Sequence, residues 1–329
     1  MKRLFLIIST ILVLAACSNE DLVDSPNTND GSIRFGNVAT RAEVSDASQI
    51  NSFKVFAEMN LVDEASTDEV EKELSTQWVP LFSEGELVSR VGSSNEWTYE
   101  NKRYWVDNRY FCFYGFYPSS LEVTRTEDAE GWVYSSTISV PYAADTDFMT
   151  ADKMVHTIAG FEPTVQMTFK HRLARVKFKI SKDNGTNIFR VTEIGFSGIS
   201  RRGTLEFRKG DSGVLTPIAE SRNVLRRDLN VNIEESGTTL FGNNDGLLLI
   251  PQKFVAGQVQ LNLSYEYGQS GSSEVEHLTL SKDIPTGEWE AGKTYVYNLK
   301  LKADKTIYIS TPTVEDWGIP QSGGVVIIK

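Results

Sequence analysis

The sequence predicts an all-β protein built as two β-sandwiches in tandem. Three observations carry that prediction. Apolar residues recur with period two, polar turns follow at short spacing, and one strand-forming stretch changes parity midway. A chain of 329 residues is long enough for two domains of ordinary size.

The N-terminus reads as an address rather than as part of the fold. Met1-Lys2-Arg3 is basic, Leu4–Leu14 is apolar or small, and Ala15-Ala16-Cys17 follows, the order of a secretory signal. The eleven residues of Leu4–Leu14 are too few to span a bilayer, which takes about 20. Leu14-Ala15-Ala16-Cys17 resembles a bacterial lipobox, in which the cysteine is acylated and becomes the new N-terminus. Cys17 is therefore the expected lipidation site, with a plain signal peptide and an incidental cysteine as the alternative. Residues 18–31 are rich in Ser, Asn, Asp and Gly, cannot bury a core, and are expected to form a flexible tether.

Beyond the tether the chain reads as strands. Val259, Leu261, Leu263, Tyr265 and Tyr267 alternate with polar residues, as do Tyr295, Tyr297, Leu299 and Leu301. Gly268–Ser273 is a turn by composition. Asp183-Asn184-Gly185 lies between Val176–Ile180 and Ile188–Ile194 and predicts a hairpin. Asn243–Gly246 precedes the apolar run Leu247–Ile250, which Pro251 ends. Helical periodicity is confined to two short stretches, 46–50 and 67–74.

The stretch Val165–Ile180 sets the domain boundary. Val165, Met167 and Phe169 share one parity, whereas Val176, Phe178 and Ile180 share the other. A regular strand cannot bury both sets on one face. Either a bulge intervenes or the chain leaves one core and enters another. We take the second option. It places the first sandwich at 32–170, the second at 171–310 and a C-terminal tail at 311–329, with Gly195–Leu301 assigned to the second sandwich.

Composition excludes several functions. The formal net charge is -11, and it becomes -13 (31 cations against 44 acids) once Lys2 and Arg3 leave with the signal. Such a chain repels phosphate backbones, so nucleic acid is not an expected partner. Cys17 and Cys112 are the two cysteines. With Cys17 acylated no disulfide framework remains, and Cys112 reads as a buried, inert thiol. The histidines His156, His171 and His277 lack metal-ligand spacing, and neither a nucleophile elbow nor a phosphate loop occurs. Carboxylates at Asp63-Glu64, Asp68–Glu73 and Glu234-Glu235 read as solvated faces. No catalytic residue, metal or cofactor is nominated, and no enzyme activity is expected.

Several stretches in fixed order carry a family resemblance. Ile33-Arg34-Phe35 leads to Ala39-Thr40-Arg41-Ala42 and then Phe53-Lys54-Val55-Phe56-Ala57. Phe111–Pro118, Asp147-Phe148-Met149 and Phe169-Lys170-His171-Arg172-Leu173 follow. Leu248–Gln252 and Trp289–Tyr297 complete the series, which covers most of 32–301. In these the chain resembles the fimbrillin family, subunits of the Bacteroidales type V pilus. The acidic Ser18-Asn19-Glu20-Asp21 after Cys17 is similar to the surface-export signal of lipoproteins from that order.

The resemblance implies two transthyretin-like sandwiches, export as an outer-membrane lipoprotein, and assembly by donor-strand exchange with other fimbrial subunits. An arginine-specific protease would cut between Arg41 and Ala42, expelling a strand whose Ile33, Phe35 and Val38 face the core. The C-terminal Val325, Val326, Ile327 and Ile328 would then be the donor strand, or else the last strand of their own domain. Arg41 is otherwise an ordinary loop arginine. On this reading the chain is a fimbrial subunit or tip adhesin with a host or bacterial surface ligand, protein or glycan. The alternative is a lipid-anchored surface protein that binds glycan or protein without polymerising.

Overall fold

In the computed structural model every element of regular structure among the described residues is a β-strand. The described residues are 30–40, 50–61, 78–128, 131–140, 146–160, 163–183, 187–208, 213–219, 222–241, 246–269, 271 and 273–317. Cys17, Arg41, Ala42, Val325–Ile328 and the two stretches expected to be helical (Ile50 apart) lie outside them.

The first half contains β1 (Arg34–Thr40), β2 (Ser52–Asn60), β3 (Trp78–Pro80), β4 (Glu86–Arg90) and β5 (Trp97–Thr98). It continues through β6 (Tyr110–Tyr117), β7 (Thr124–Asp128), β8 (Gly131–Ser139), β9 (Met149–His156) and β10 (Thr164–His171). The second half begins with β11 (Ala174–Lys182), β12 (Asn187–Ser200), β13 (Arg202–Arg208), β14 (Val214–Pro217) and β15 (Arg222–Asn232). Next come β16 (Thr238–Thr239), β17 (Leu247–Leu249), β18 (Gln252–Phe254), β19 (Gln260–Gln269) and β20 (Val275–Asp283). The last four are β21 (Gly287–Trp289), β22 (Lys293–Leu301), β23 (Ile307–Ile309) and β24 (Thr313–Asp316).

An eight-stranded sheet runs β1-β10-β9-β6-β2-β4-β5, with β3 beside β2. Its strand β6, Tyr-Phe-Cys-Phe-Tyr-Gly-Phe-Tyr, is apolar without alternation because both of its faces are buried. Phe111 and Phe113 enter a core lined by Phe53, Val55, Val165, Met167 and Phe169 from the same sheet. Cys112, Tyr114 and Phe116 enter a second core, against Tyr134, Ile138, Leu205 and Phe207. Those four belong to a sheet ordered β14-β13-β8-β7, so the two sheets form a sandwich. Gly115 follows Phe113 on the first face. A Cβ there would lie 2.8 Å from the Met167 Cε atom, so its absence makes room for β10. One buried acid ties the two sheets together: Glu58 accepts a hydrogen bond of 2.7 Å from the Tyr134 hydroxyl.

A third core lies between two other sheets. One has the path β16-β11-β22-β23, with β17 beside β11 and β24 beside β22; the other is β15-β12-β19-β20. Val176, Phe178, Ile180, Tyr297 and Leu299 face Phe189, Val191, Ile194, Leu261 and Leu263 across it. The change of parity in Val165–Ile180 therefore marks passage between cores. Val165, Met167 and Phe169 are buried in the first, and Val176, Phe178 and Ile180 in the third.

One sequence expectation needs correction. Asp183-Asn184-Gly185 does not close a hairpin, because β11 pairs with β16, β17 and β22 while β12 pairs with β15 and β19. β11 and β12 lie in different layers, since Phe178 and Phe189 meet across a core rather than side by side. Strand β20 carries little sequence signal, because it is mostly exposed and only Leu278 and Leu280 lean on the core. In addition, β13 and β14, from the stretch assigned to the second sandwich, share a sheet with β7 and β8.

The buried tyrosines make stability depend on alkaline pH. Burial pushes Tyr99 and Tyr297 up to about 12, and Tyr114 and Tyr134 higher still. Unfolded tyrosine titrates near pH 10. Between roughly pH 10 and 12 the native chain thus holds more protons than the unfolded one, and stability falls as pH rises. Denaturant midpoints should be flat up to about pH 9 and drop steeply by about pH 11. A flat profile across that window would mean that these phenols are not buried in solution.

Candidate assembly site

Strand β1 is the site at which the sequence expectations and the geometry meet. It lies at one edge of the eight-stranded sheet, parallel to β10, with Arg34 opposite Thr164, Phe35 opposite Val165 and Thr40 opposite Phe169. Register shifts between Gly36 and Ala39. Phe35 and Val38 have opposite parity, and the shift lets both be buried in the first core with Ile33. Gly36 allows the close approach, since a Cβ there would meet the Thr164 methyl at 2.7 Å.

The start of the strand is pinned on its other side. The amide of Ile33 donates to the Arg103 carbonyl at 2.8 Å, and the Trp105 amide donates to the Gly31 carbonyl at 3.0 Å. The Tyr99 hydroxyl donates to the Ile33 carbonyl at 2.8 Å. Ser32 turns its amide and hydroxyl onto the Asp30 carboxylate at 2.9 and 2.5 Å, and these bonds hold the Asp30 pKa below the usual range. β1 is thus wedged between β10 and the segment that follows β5.

Its core side is aromatic. The Phe35 ring meets Phe53, Tyr99 and Phe113 edge-to-face, with centroids 5.9, 5.7 and 5.8 Å away. The main-chain side matters as much. Among the described residues β10 pairs with β9 only at Lys170 and His171, opposite Thr150 and Met149. Over Thr164–Phe169 its ladder neighbour is β1. Removing β1 would therefore expose an apolar trough beside a row of unpaired amides and carbonyls, the situation that draws in another strand.

The last described segment comes to the junction of β10 and β11. Trp317, the last described residue, is buried and stacks on His171 with centroids 4.2 Å apart. Its amide donates to the Gly292 carbonyl at 2.9 Å, and the Arg175 guanidinium lies over its ring at 4.7 Å. Asp147 pairs with the Nδ1 atom of His171. His171 is buried where β10 gives way to β11. Its partners lie 24 and 146 residues away, so nothing local to His171 signalled them.

Elsewhere the singled-out residues stay apart. Cys112 is buried, His156 stacks on Tyr110, and His277 lies 3.6 Å from Glu266 at the surface. Among the described residues no three His, Cys, Asp or Glu side chains gather as metal ligands would.

The family model described as Fimbrillin-like matches residues 40–317. Among solved structures, the chain is similar to a fimbrial protein from Bacteroides vulgatus, with a TM-score of 0.62 at 17% identity, covering 87% of this chain and 99% of that one. It is also similar to a candidate cell adhesion protein from Bacteroides ovatus, with a TM-score of 0.50 at 16% identity, covering 88% and 98%. At such identities the likeness is one of fold. No curated protein matches the sequence.

Proposed function

The chain belongs to the fimbrillin-like family, and from that membership we propose that it is a fimbrial subunit or tip adhesin serving cell adhesion. In this reading it is exported as a lipoprotein acylated at Cys17 and reaches the outer membrane. Cleavage between Arg41 and Ala42 then releases β1, and a strand from another fimbrial subunit takes its place. The chain is divided into two tandem sandwiches near residue 170, with the β13–β14 hairpin reaching back to the first.

The observation that carries this reading is the state of β1. It is a seven-residue strand with a buried apolar face, and it ends directly before Arg41. An edge strand that plugs a core and ends directly before an arginine is what a removable strand requires. The donor would be Val325–Ile328, a run of four β-branched residues suited to adding to a foreign sheet.

The experiment is treatment of the purified precursor with an arginine-specific protease, followed by N-terminal sequencing and native electrophoresis. The expected product begins at Ala42 and forms a ladder of oligomers. The Arg41→Ala precursor should stay whole and monomeric. A chain lacking 325–329 should be cut but fail to act as donor. Cleavage at Ala42 without oligomers from the full chain would leave a tip or a non-polymerising surface protein. No cleavage at Ala42 would end the strand-exchange reading.

A further inference from the structure

We propose that a cleft beside β8 binds a neutral oligosaccharide. The cleft holds about 540 Å³, within the range of small-ligand sites. Its floor follows from strand alternation. Ser135, Thr137 and Ser139 share the outer face of β8, while Tyr134 and Ile138 point into the core. Register then extends the row sideways, since Thr204 of β13 lies opposite Thr137 and Thr124 of β7 lies opposite Ser135. Among the described residues β7 pairs with β8 only as far as Ser135, and no described strand pairs with the rest of β8 on that side, which gives the cleft its depth.

The lining selects the ligand class. Of its twelve described lining residues eight carry hydroxyls, and among them Glu122 alone is charged. Hydroxyls both donate and accept, which suits a ligand that presents hydroxyls of its own. With no cation among the described lining residues, an anionic ligand has no partner there and meets an acidic chain. The Glu122 carboxylate offers two acceptor oxygens to neighbouring hydroxyls of a sugar ring. Pro118, Leu121 and Phe148 supply apolar wall for the ring's C–H face.

The walls are fixed in advance. Leu121 donates its amide to the Pro118 carbonyl at 3.0 Å, and the Lys54 ammonium donates to the Leu121 carbonyl at 2.9 Å. The Ser136 hydroxyl donates to the Glu122 carbonyl at 2.6 Å. On the opposite wall the Phe148 carbonyl accepts from the Arg172 amide at 2.8 Å. A ligand entering such a cleft has little ordering cost to meet.

The site would give the adhesion reading its ligand and rests on that reading only for its biological use; strand exchange is not needed for it to bind. The test is an array of neutral and acidic glycans probed with the full secreted chain, with hits followed by titration calorimetry. Neutral oligosaccharides should bind, and their sialylated or uronic-acid counterparts should bind at least tenfold more weakly. Thr137→Trp, an exposed substitution that fills the floor, should abolish binding while leaving the thermal melt unchanged. Glu122→Gln should weaken it about tenfold. No neutral hit, equal binding of acidic glycans, or capture of hydrophilic peptides in their stead overturns the proposal. So does undiminished binding by Thr137→Trp and Glu122→Gln together. Oligomer formation after cleavage at Arg41 is read separately, so failure on the array leaves strand exchange standing.

Discussion

Phe35→Ala in the uncut chain is expected to cost about 3–5 kcal/mol, the range for deleting a fully packed phenylalanine. Three edge-to-face ring contacts go with the side chain, and the hole opens among Phe53, Tyr99 and Phe113, which are themselves buried and held by other strands. Collapse into the hole is therefore limited. The loss is large beside the roughly 5–15 kcal/mol that holds a domain together. Chemical denaturation of the precursor reads it directly. The informative comparison is with protein already cut at Arg41. If β1 has left, Phe35 has left with it, and cut material from the variant and the parent should melt alike. A difference between the two cut samples would mean that residue 35 still occupies the groove, and expulsion would be wrong.

The fold was legible where a single strand carries its own instructions. The parity change between Phe169 and Val176 marks passage between cores, and Cys112 reads as a buried thiol and is one. Which strands pair was less legible. Asn184-Gly185 has hairpin chemistry, yet β11 and β12 lie in different layers because their apolar faces look at each other. That choice is made by tertiary packing, and turn chemistry does not encode it. The return of β13 and β14 to β8 was invisible for the same reason, since alternation names the buried face but not the sheet.

The site divides along the same line. Ile33, Phe35 and Val38 are named by the family resemblance, and Val38 reaches the same core as the other two only because a register shift corrects its parity. The clamp from Tyr99 and Arg103 depends on residues about 70 positions away, which no local pattern announces. The hydroxyl cleft was missed for a related cause. Ser and Thr on the wet face of a strand look like ordinary solvent-facing residues until cross-strand register gathers them into one row.

Gly198→Ala should be as damaging as the loss of Phe35, by a different mechanism. Gly198 lies where β12 carries one residue more than β15, between the pairs Phe196 with Leu225 and Ile199 with Asn223. The extra residue lets Phe196 and Ile199, of opposite parity, both enter the third core. Its φ of +76° is strained for any side chain, and a Cβ would lie 1.8 Å from the Gln258 carbonyl oxygen. That oxygen is main chain, so no rotamer change clears the clash. Nor can its segment retreat: Val259 is buried, and its carbonyl accepts from the Ile284 amide at 2.9 Å. The cost should reach about 3 kcal/mol or more, strain and overpacking together. Gly257→Ala provides the control, because Gly257 has nearly the same φ, +77°, with nothing within 4 Å of its Cβ position. It should cost only about 1–2 kcal/mol, the strain alone. Equal losses for the two variants in denaturant melts would show that β12 does not press on the start of β19, and the bulge would no longer explain how both side chains reach the core.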